Sequence, residues 1–201
     1  MPRATLAAMT ALPLQPPRRL LTVAEFAAFH EATEGRFELQ EGNVVVSPSP
    51  TPEHQVCLQE LLHQLRPQVP DHLRTVPEVD IDLVLVPSHR PGFVRIPDLV
   101  VVTREGLKRR RAEGGLLRAD EVVLAVEIVS DGSQRTDHTI KHGEYADAGV
   151  PHYWILELDA RPALIACHLA GEFGYVDAAP VSGIFTADEP FPVRLDLDQL
   201  G

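Results

Sequence analysis

The chain has 201 residues, 44% of them hydrophobic, which is enough for one domain with a full two- or three-layer core. Its formal net charge of −11 argues against a protein that coats nucleic acid without specificity, because such binding runs on lysine and arginine displacing counterions. It leaves open an enzyme that keeps metal ions in an acidic pocket. No apolar run is long enough to cross a bilayer as a helix. Cys57 and Cys167 lie far apart and outside any C-x-x-C pair, which argues against a disulfide framework or a zinc site and for a reducing cytoplasm.

Met1 to Arg19 mixes Ala, Leu, Pro and basic residues without a period, and it lacks the apolar run and cleavage site of a secretory signal. We read it as a disordered leader, with residues 20–201 as one domain. Thr22-Val23-Ala24-Glu25 has the form of a capping box and predicts a short helix ending before Gly35, with Phe26 and Phe29 inward. Arg36 to Gln40 and Val44 to Val46 predict a hairpin about Glu41-Gly42-Asn43, with Phe37 and Leu39 on one face and Glu38 on the other. Thr51 then caps a helix with Pro52 in its first position; Leu58, Leu61, Leu62 and Leu65 form its buried stripe, and Pro67 ends it. His54 falls near that stripe at the helix start.

Thr75 to Val86 reads as one strand, with Val79, Ile81, Leu83 and Leu85 on a common face. Val94 to Val102 and Val122 to Val129 read as strands covered on both faces, because their apolar residues have both parities. The charged stretch from Arg104 to Asp120 reads as a loop or a short exposed helix. Ser130 to Ser133 reads as a loop, and Thr136 or Asp137 as the cap of a helix that closes at Gly149. His152 to Leu158 is a further strand, and its aromatics read as core. Pro162 to Leu169 and Tyr175-Val176 suggest a hairpin about Gly171 to Gly174, followed by short extended pieces. The order describes a mixed sheet flanked by helices.

Two carboxylates stand out. Glu127 is the only charge in Val122 to Val129, and Asp98 follows Pro97 in an otherwise apolar strand. A lone carboxylate in a covered strand is costly unless something positive meets it, and Pro97 interrupts strand pairing beside Asp98. The pair could share one magnesium ion, which takes oxygen ligands and few of them from protein. The alternative is structural pairing, with Arg95 or Lys141 as partner. Lys141 lies four residues before Tyr145 and seven before Ala148, so all three share a helix face. A lysine there could orient a water and balance phosphate charge, or simply pair with Asp137 at the surface. Lys108 to Arg111 is the densest basic run, read either as a nucleic-acid contact or as a solvated loop.

Six blocks in order carry a family resemblance: Arg36 to Gly42, Ser47 to His54, Ile96 to Val101, Val126 to Ser130, Asp137 to Tyr145 and Ala148 to Ile155. From about Leu21 to Leu158 the chain resembles the bacterial putative restriction endonuclease family of the PD-(D/E)XK nuclease superfamily. The resemblance implies a restriction-endonuclease-like α/β (α+β) fold, a mixed central sheet flanked by helices, here with an extra C-terminal hairpin. It implies Mg2+ (or Mn2+) held by Asp98 and Glu127, and DNA as the partner. Where the superfamily pattern expects a lysine this chain has Val129, and the resemblance implies that Lys141 on the following helix takes its place. Glu38 is the candidate for an added N-terminal acid, completing the metal shell, and His54 for a phosphate contact or a residue that positions water.

These features give a metal-dependent endonuclease as the first expectation. A nuclease-like fold kept as a non-enzymatic binding module, with homodimerisation left open, is the second; a phosphodiesterase acting on a small phosphorylated substrate is the third.

Overall fold

The computed structural model describes residues 17–129, 134–159 and 161–201. Most of the predicted leader and the predicted Ser130 to Ser133 loop therefore lie outside the described residues. The first helix, α1 (Val23–Glu31), opens on the expected reciprocal cap between Thr22 and Glu25. Phe26 is fully buried, and with Leu21 it packs on Phe37 and Leu39 of β1 (Phe37–Gln40) and Val94 of β5 (Val94–Arg95). The hairpin of β1 with β2 (Asn43–Val46) turns through Glu41 and Gly42, both at positive φ. Gly42 is required there. Its φ is +79°, and a Cβ would lie 2.5 Å from that of Pro91.

Helix α2 (Pro52–Leu65) is capped by Thr51 and buries Cys57, Leu58, Leu61 and Leu65. Then come β3 (Leu73–Pro77) and β4 (Ile81–Asp82), where one continuous strand was expected. The chain breaks between them at Glu78, with φ of 47°, and the expected strand stops short after β4 at Val84, with φ of 54°, values that no ladder accommodates. The apolar run after Phe93 divides as well. Arg95 ends β5 and Leu99 begins β6 (Leu99–Thr103); the intervening Ile96-Pro97-Asp98 carries the chain from one sheet to another.

The stretch from Arg104 takes one of its two expected forms, a short exposed helix, and a strand that was not expected follows it. Helix α3 (Arg104–Glu113) starts on a Thr103 cap and stops at Gly114, and β7 (Leu117–Arg118) follows as a short strand paired with β4. Its amphipathic signal is weak because Arg109 is anchored by the Glu121 carboxylate and the Leu116 carbonyl rather than by apolar packing. β8 (Val122–Val129) is buried almost throughout. Beyond the undescribed residues the chain is already helical at 134, passes through a π-helical turn at Thr136–Lys141, and continues as α4 (His142–Asp147). Neither Thr136 nor Asp137 is therefore its cap. Strands β9 (His152–Glu157), β10 (Ala163–Leu169), β11 (Tyr175–Asp177), β12 (Val181–Ser182), β13 (Ile184–Ala187) and β14 (Val193–Asp196) complete the chain.

Among the described residues, two mixed sheets result. One runs β2-β1-β5-β4-β7; the other runs β11-β10-β9-β8-β6-β3, with β12 on β10, and β13 and β14 form a separate hairpin. The larger sheet is covered on both faces, because alternate residues of its central strands face opposite ways. Leu124, Val126, Ile128 and Trp154 pack with α2 and the C-terminal hairpin. Ala125, Val129, Tyr153 and Ile155 pack with Tyr145 of α4 on the other side.

Candidate active site

The strand alternation that buries β8 turns Glu127 to the same side as Ala125 and Val129, toward α4. Antiparallel pairing matches Leu99 with Val126, so one further residue along sets Asp98 opposite Glu127. Directly opposed residues share a sheet face, with Cβ atoms about 5 Å apart. Asp98 lies just before β6, its carbonyl accepting the Glu78 N–H, and its Oδ2 accepts the Ile128 N–H at 2.7 Å. The same oxygen meets Nε2 of His54 at 3.1 Å, and Arg36 lies 3.9 Å from Oδ1.

Lys141 comes into the site from the π-helical turn. Its ammonium lies 2.9 Å from Glu127 Oε1, 3.3 Å from Asp137 and 3.7 Å from Glu38. The Tyr145 hydroxyl donates to Glu127 Oε1 at 2.9 Å, and the Tyr153 hydroxyl to the Asp137 carbonyl at 3.0 Å, pinning the turn that carries both charged residues. Asp137 and Lys141 are both buried, where a solvated surface pair was the alternative expectation. Single-turn π segments recur at functional sites because they re-aim side chains without ending the helix.

Glu38 reaches the cluster from β1, because Phe37 and Leu39 are committed to the α1 side. Both of its oxygens are engaged. Oε2 accepts from Arg95 at 2.8 Å, and Oε1 from the Ile96 N–H at 3.1 Å. Arg95 in turn makes a two-pronged contact with Glu144, at 2.6 and 2.8 Å. Glu38 is thus tied first to Arg95 and Lys141, and it could join a metal shell only by giving up one of these bonds. His54 faces Asp98 with one ring nitrogen; its Nδ1 is buried without a partner among the described residues.

One cleft of about 350 Å³ is lined by Glu38, His54, Arg95, Asp98, Glu127, Asp137 and Lys141. All five residues singled out from sequence face it. Sequence reasoning did not place Asp137 or the Arg95–Glu144 clamp in the site. An acid at the expected start of a helix looks like a cap, and contacts across 49 residues leave no local signal. Val129, at the position where a lysine was expected, packs in the apolar cluster with Tyr153.

The electrostatics follow from crowding. Burial pushes the Glu127 carboxyl well above the ordinary range, and Asp98, Asp137 and Glu38 push it further, with Lys141 opposing. Burial works to lower Lys141 too, but the Glu127, Glu38 and Asp137 charges outweigh it and keep the ammonium protonated. Burial also works against charge on Glu38, yet Lys141, Arg95 and the Ile96 N–H hold it below the usual carboxylate range. The cleft therefore carries more buried acid than its lysine can neutralise. The Ile128 N–H and His54 both meet Oδ2 of Asp98, and Tyr145 and Lys141 both meet Oε1 of Glu127. An all-oxygen pair with surplus negative charge fits a magnesium-like ion, which binds through one or two carboxylates and keeps several waters or phosphate oxygens.

No curated protein matches the chain. Among solved structures it is similar to a putative nuclease belonging to DUF820 from Anabaena variabilis ATCC 29413, with 19% identity and a TM-score of 0.65, over 90% of this chain and 97% of that one. That likeness is one of fold. A family model, Uma2, described as "Putative restriction endonuclease", matches residues 23–194. The match spans β1, β6, β8 and α4, the elements that bring the cleft together, and the chain belongs to the Uma2 family of putative restriction endonucleases.

Proposed function

We propose that the chain is a divalent-metal-dependent endonuclease that hydrolyses phosphodiester bonds of DNA at the Asp98–Glu127 cleft. The observation that carries this reading is the convergence of Asp98, Glu127 and Lys141 on one cleft from three separate elements. Asp98 and Glu127 would hold magnesium or manganese, which when bound supplies a more acidic water and shields the scissile phosphate.

The remaining work falls to the protein's own groups. The ammonium of Lys141, already fixed by Glu127 and Asp137, orients a water by hydrogen bonding and meets charge developing on the phosphate. Glu38 and Asp137 keep that ammonium charged and aimed. His54 and the Ile128 N–H fix the rotamer of Asp98, leaving its other oxygen toward the cleft. Arg36 lies at the mouth beside Asp98 and can meet a phosphate oxygen. Asp98→Ala and Glu127→Ala should each abolish magnesium-dependent cleavage with the fold intact. Unchanged cleavage in both would rule the mechanism out.

A second reading has its own support. Three carboxylates already surround the single lysine of the cleft, and the chain's net charge is −11, as suits a nuclease fold used as a binding module. Calorimetry with magnesium separates the two, because a binding module need not take an ion at a site that Asp98→Ala destroys. A screen of small phosphodiesters against DNA tests the substrate class.

A further inference from the structure

Apart from the cleft, a second group of metal-ligating side chains meets at the junction of α4 and the β10–β11 pair. Among the described residues, His142, Cys167 and Asp177 bring one ligand atom each to within 4.8 Å of one another. Cys167 and Asp177 are directly opposed across the β10–β11 ladder, so their side chains share a face. His142 reaches them from the first residue of α4, with Nε2 at 2.8 Å from Asp177 Oδ1. The imidazole stands near edge-on to two phenol rings, Tyr175 at 5.1 Å and Tyr153 at 6.1 Å, which fixes its plane.

We propose that His142, Cys167 and Asp177 form a zinc site, distinct from the cleft. The donor set is the argument. One thiol, one imidazole and one carboxylate suit a borderline ion such as zinc and not magnesium, which takes oxygen alone. Zinc bond lengths of about 2.0 Å to nitrogen or oxygen and about 2.3 Å to sulfur put tetrahedral donors about 3.5 Å apart, within reach of a set already this close. Cys167 is buried, while the Asp177 side chain is half exposed, so an ion enters from the Asp177 side and keeps a fourth position for water. As zinc enters, the Cys167 thiol gives its proton to solvent and binds as thiolate. Sequence spacing conceals the site, since its ligands come from one helix and two strands.

The consequence is mechanical. His142 directly follows Lys141, so an ion bridging His142 to β10 and β11 would tie down the turn that carries the lysine. The test uses cobalt as an optical stand-in for zinc on the full chain. One equivalent should give a thiolate-to-cobalt band in the near ultraviolet, displaced by zinc. It should vanish in Cys167→Ser and weaken strongly in His142→Gln and Asp177→Asn, yet persist in Asp98→Ala and Glu127→Ala. Zinc should raise Tm in the wild type and in none of the three ligand variants. Should Cys167→Ser fail to fold, the His142→Gln and Asp177→Asn variants carry the same test. Absence of the band in the wild type, or its persistence in His142→Gln and Asp177→Asn, overturns the proposal.

Discussion

The ammonium of Lys141 lies 2.9 Å from Oε1 of Glu127, joining the π-helical turn to the middle of the large sheet through a buried ion pair. The pair is enclosed by Tyr145 and by two further acids, so its removal has consequences for both stability and chemistry. Lys141→Met leaves buried carboxylates without their cation, a change that typically costs about 3–5 kcal/mol. We expect a fall of that order in denaturant unfolding without added metal, a smaller fall with magnesium present, and cleavage reduced by about two to three orders of magnitude. Equal destabilisation with and without magnesium would count against an ion in the cleft.

Glu38 offers a sharper separation of roles. Because Arg95 and the Ile96 N–H already occupy its oxygens, we propose that it acts through Lys141. Glu38→Gln should therefore lower kcat while the magnesium concentration for half-maximal rate stays within about threefold, a binding difference of about 0.7 kcal/mol. A tenfold or greater rise in that concentration would make Glu38 a metal ligand instead.

Much of this was legible in the sequence, for identifiable reasons. Asp98 and Glu127 stand out because each is the lone acid in an apolar strand, and Thr22 and Thr51 because capping is a local code. What stayed hidden depends on distance in the chain. The Arg95–Glu144 clamp spans 49 residues, and the breaks at Glu78 and Val84 occur at residue types that seldom adopt positive φ. Helix α3 was legible only as one of two alternatives, because polar anchoring of Arg109 replaces the apolar stripe that betrays most helices. Asp137 shares with Thr136 the look of a cap, because the sequence before them reads as a loop.

The basic run on α3 divides by the same criterion. Arg109 is bound to Glu121, while Lys108, Arg110 and Arg111 are exposed. Arg109→Gln should lower Tm and leave DNA affinity unchanged, whereas neutralising the other three together should weaken any DNA binding and flatten its salt dependence. Unchanged binding by the triple variant would place the nucleic acid elsewhere.

The Arg109–Glu121 pair also fixes a pH dependence. Hydrogen bonding from Arg109 holds the Glu121 carboxyl below its ordinary 4.5 despite some burial. A group depressed in the folded state stabilises above its unfolded pKa and loses that contribution as pH falls through the folded one. In Arg109→Gln the drop in Tm relative to wild type should therefore be full at pH 7 and shrink below about pH 4.5, as Glu121 protonates. A constant difference across that range would show that the pair does not carry it.

At the turn of the β1–β2 hairpin, Gly42→Ala forces a side chain into a φ of +79° and a Cβ to within 2.5 Å of Pro91. We expect a loss of about 1–3 kcal/mol in chemical unfolding. A neutral result would mean that the Pro91 loop yields.

The most direct measurement is crystallographic: anomalous scattering from manganese in crystals of the wild type and of Asp98→Ala. A manganese peak lying between the carboxylates of Asp98 and Glu127, and missing in the variant, is the result we predict. A cleft that stays free of manganese at concentrations supporting cleavage would contradict it.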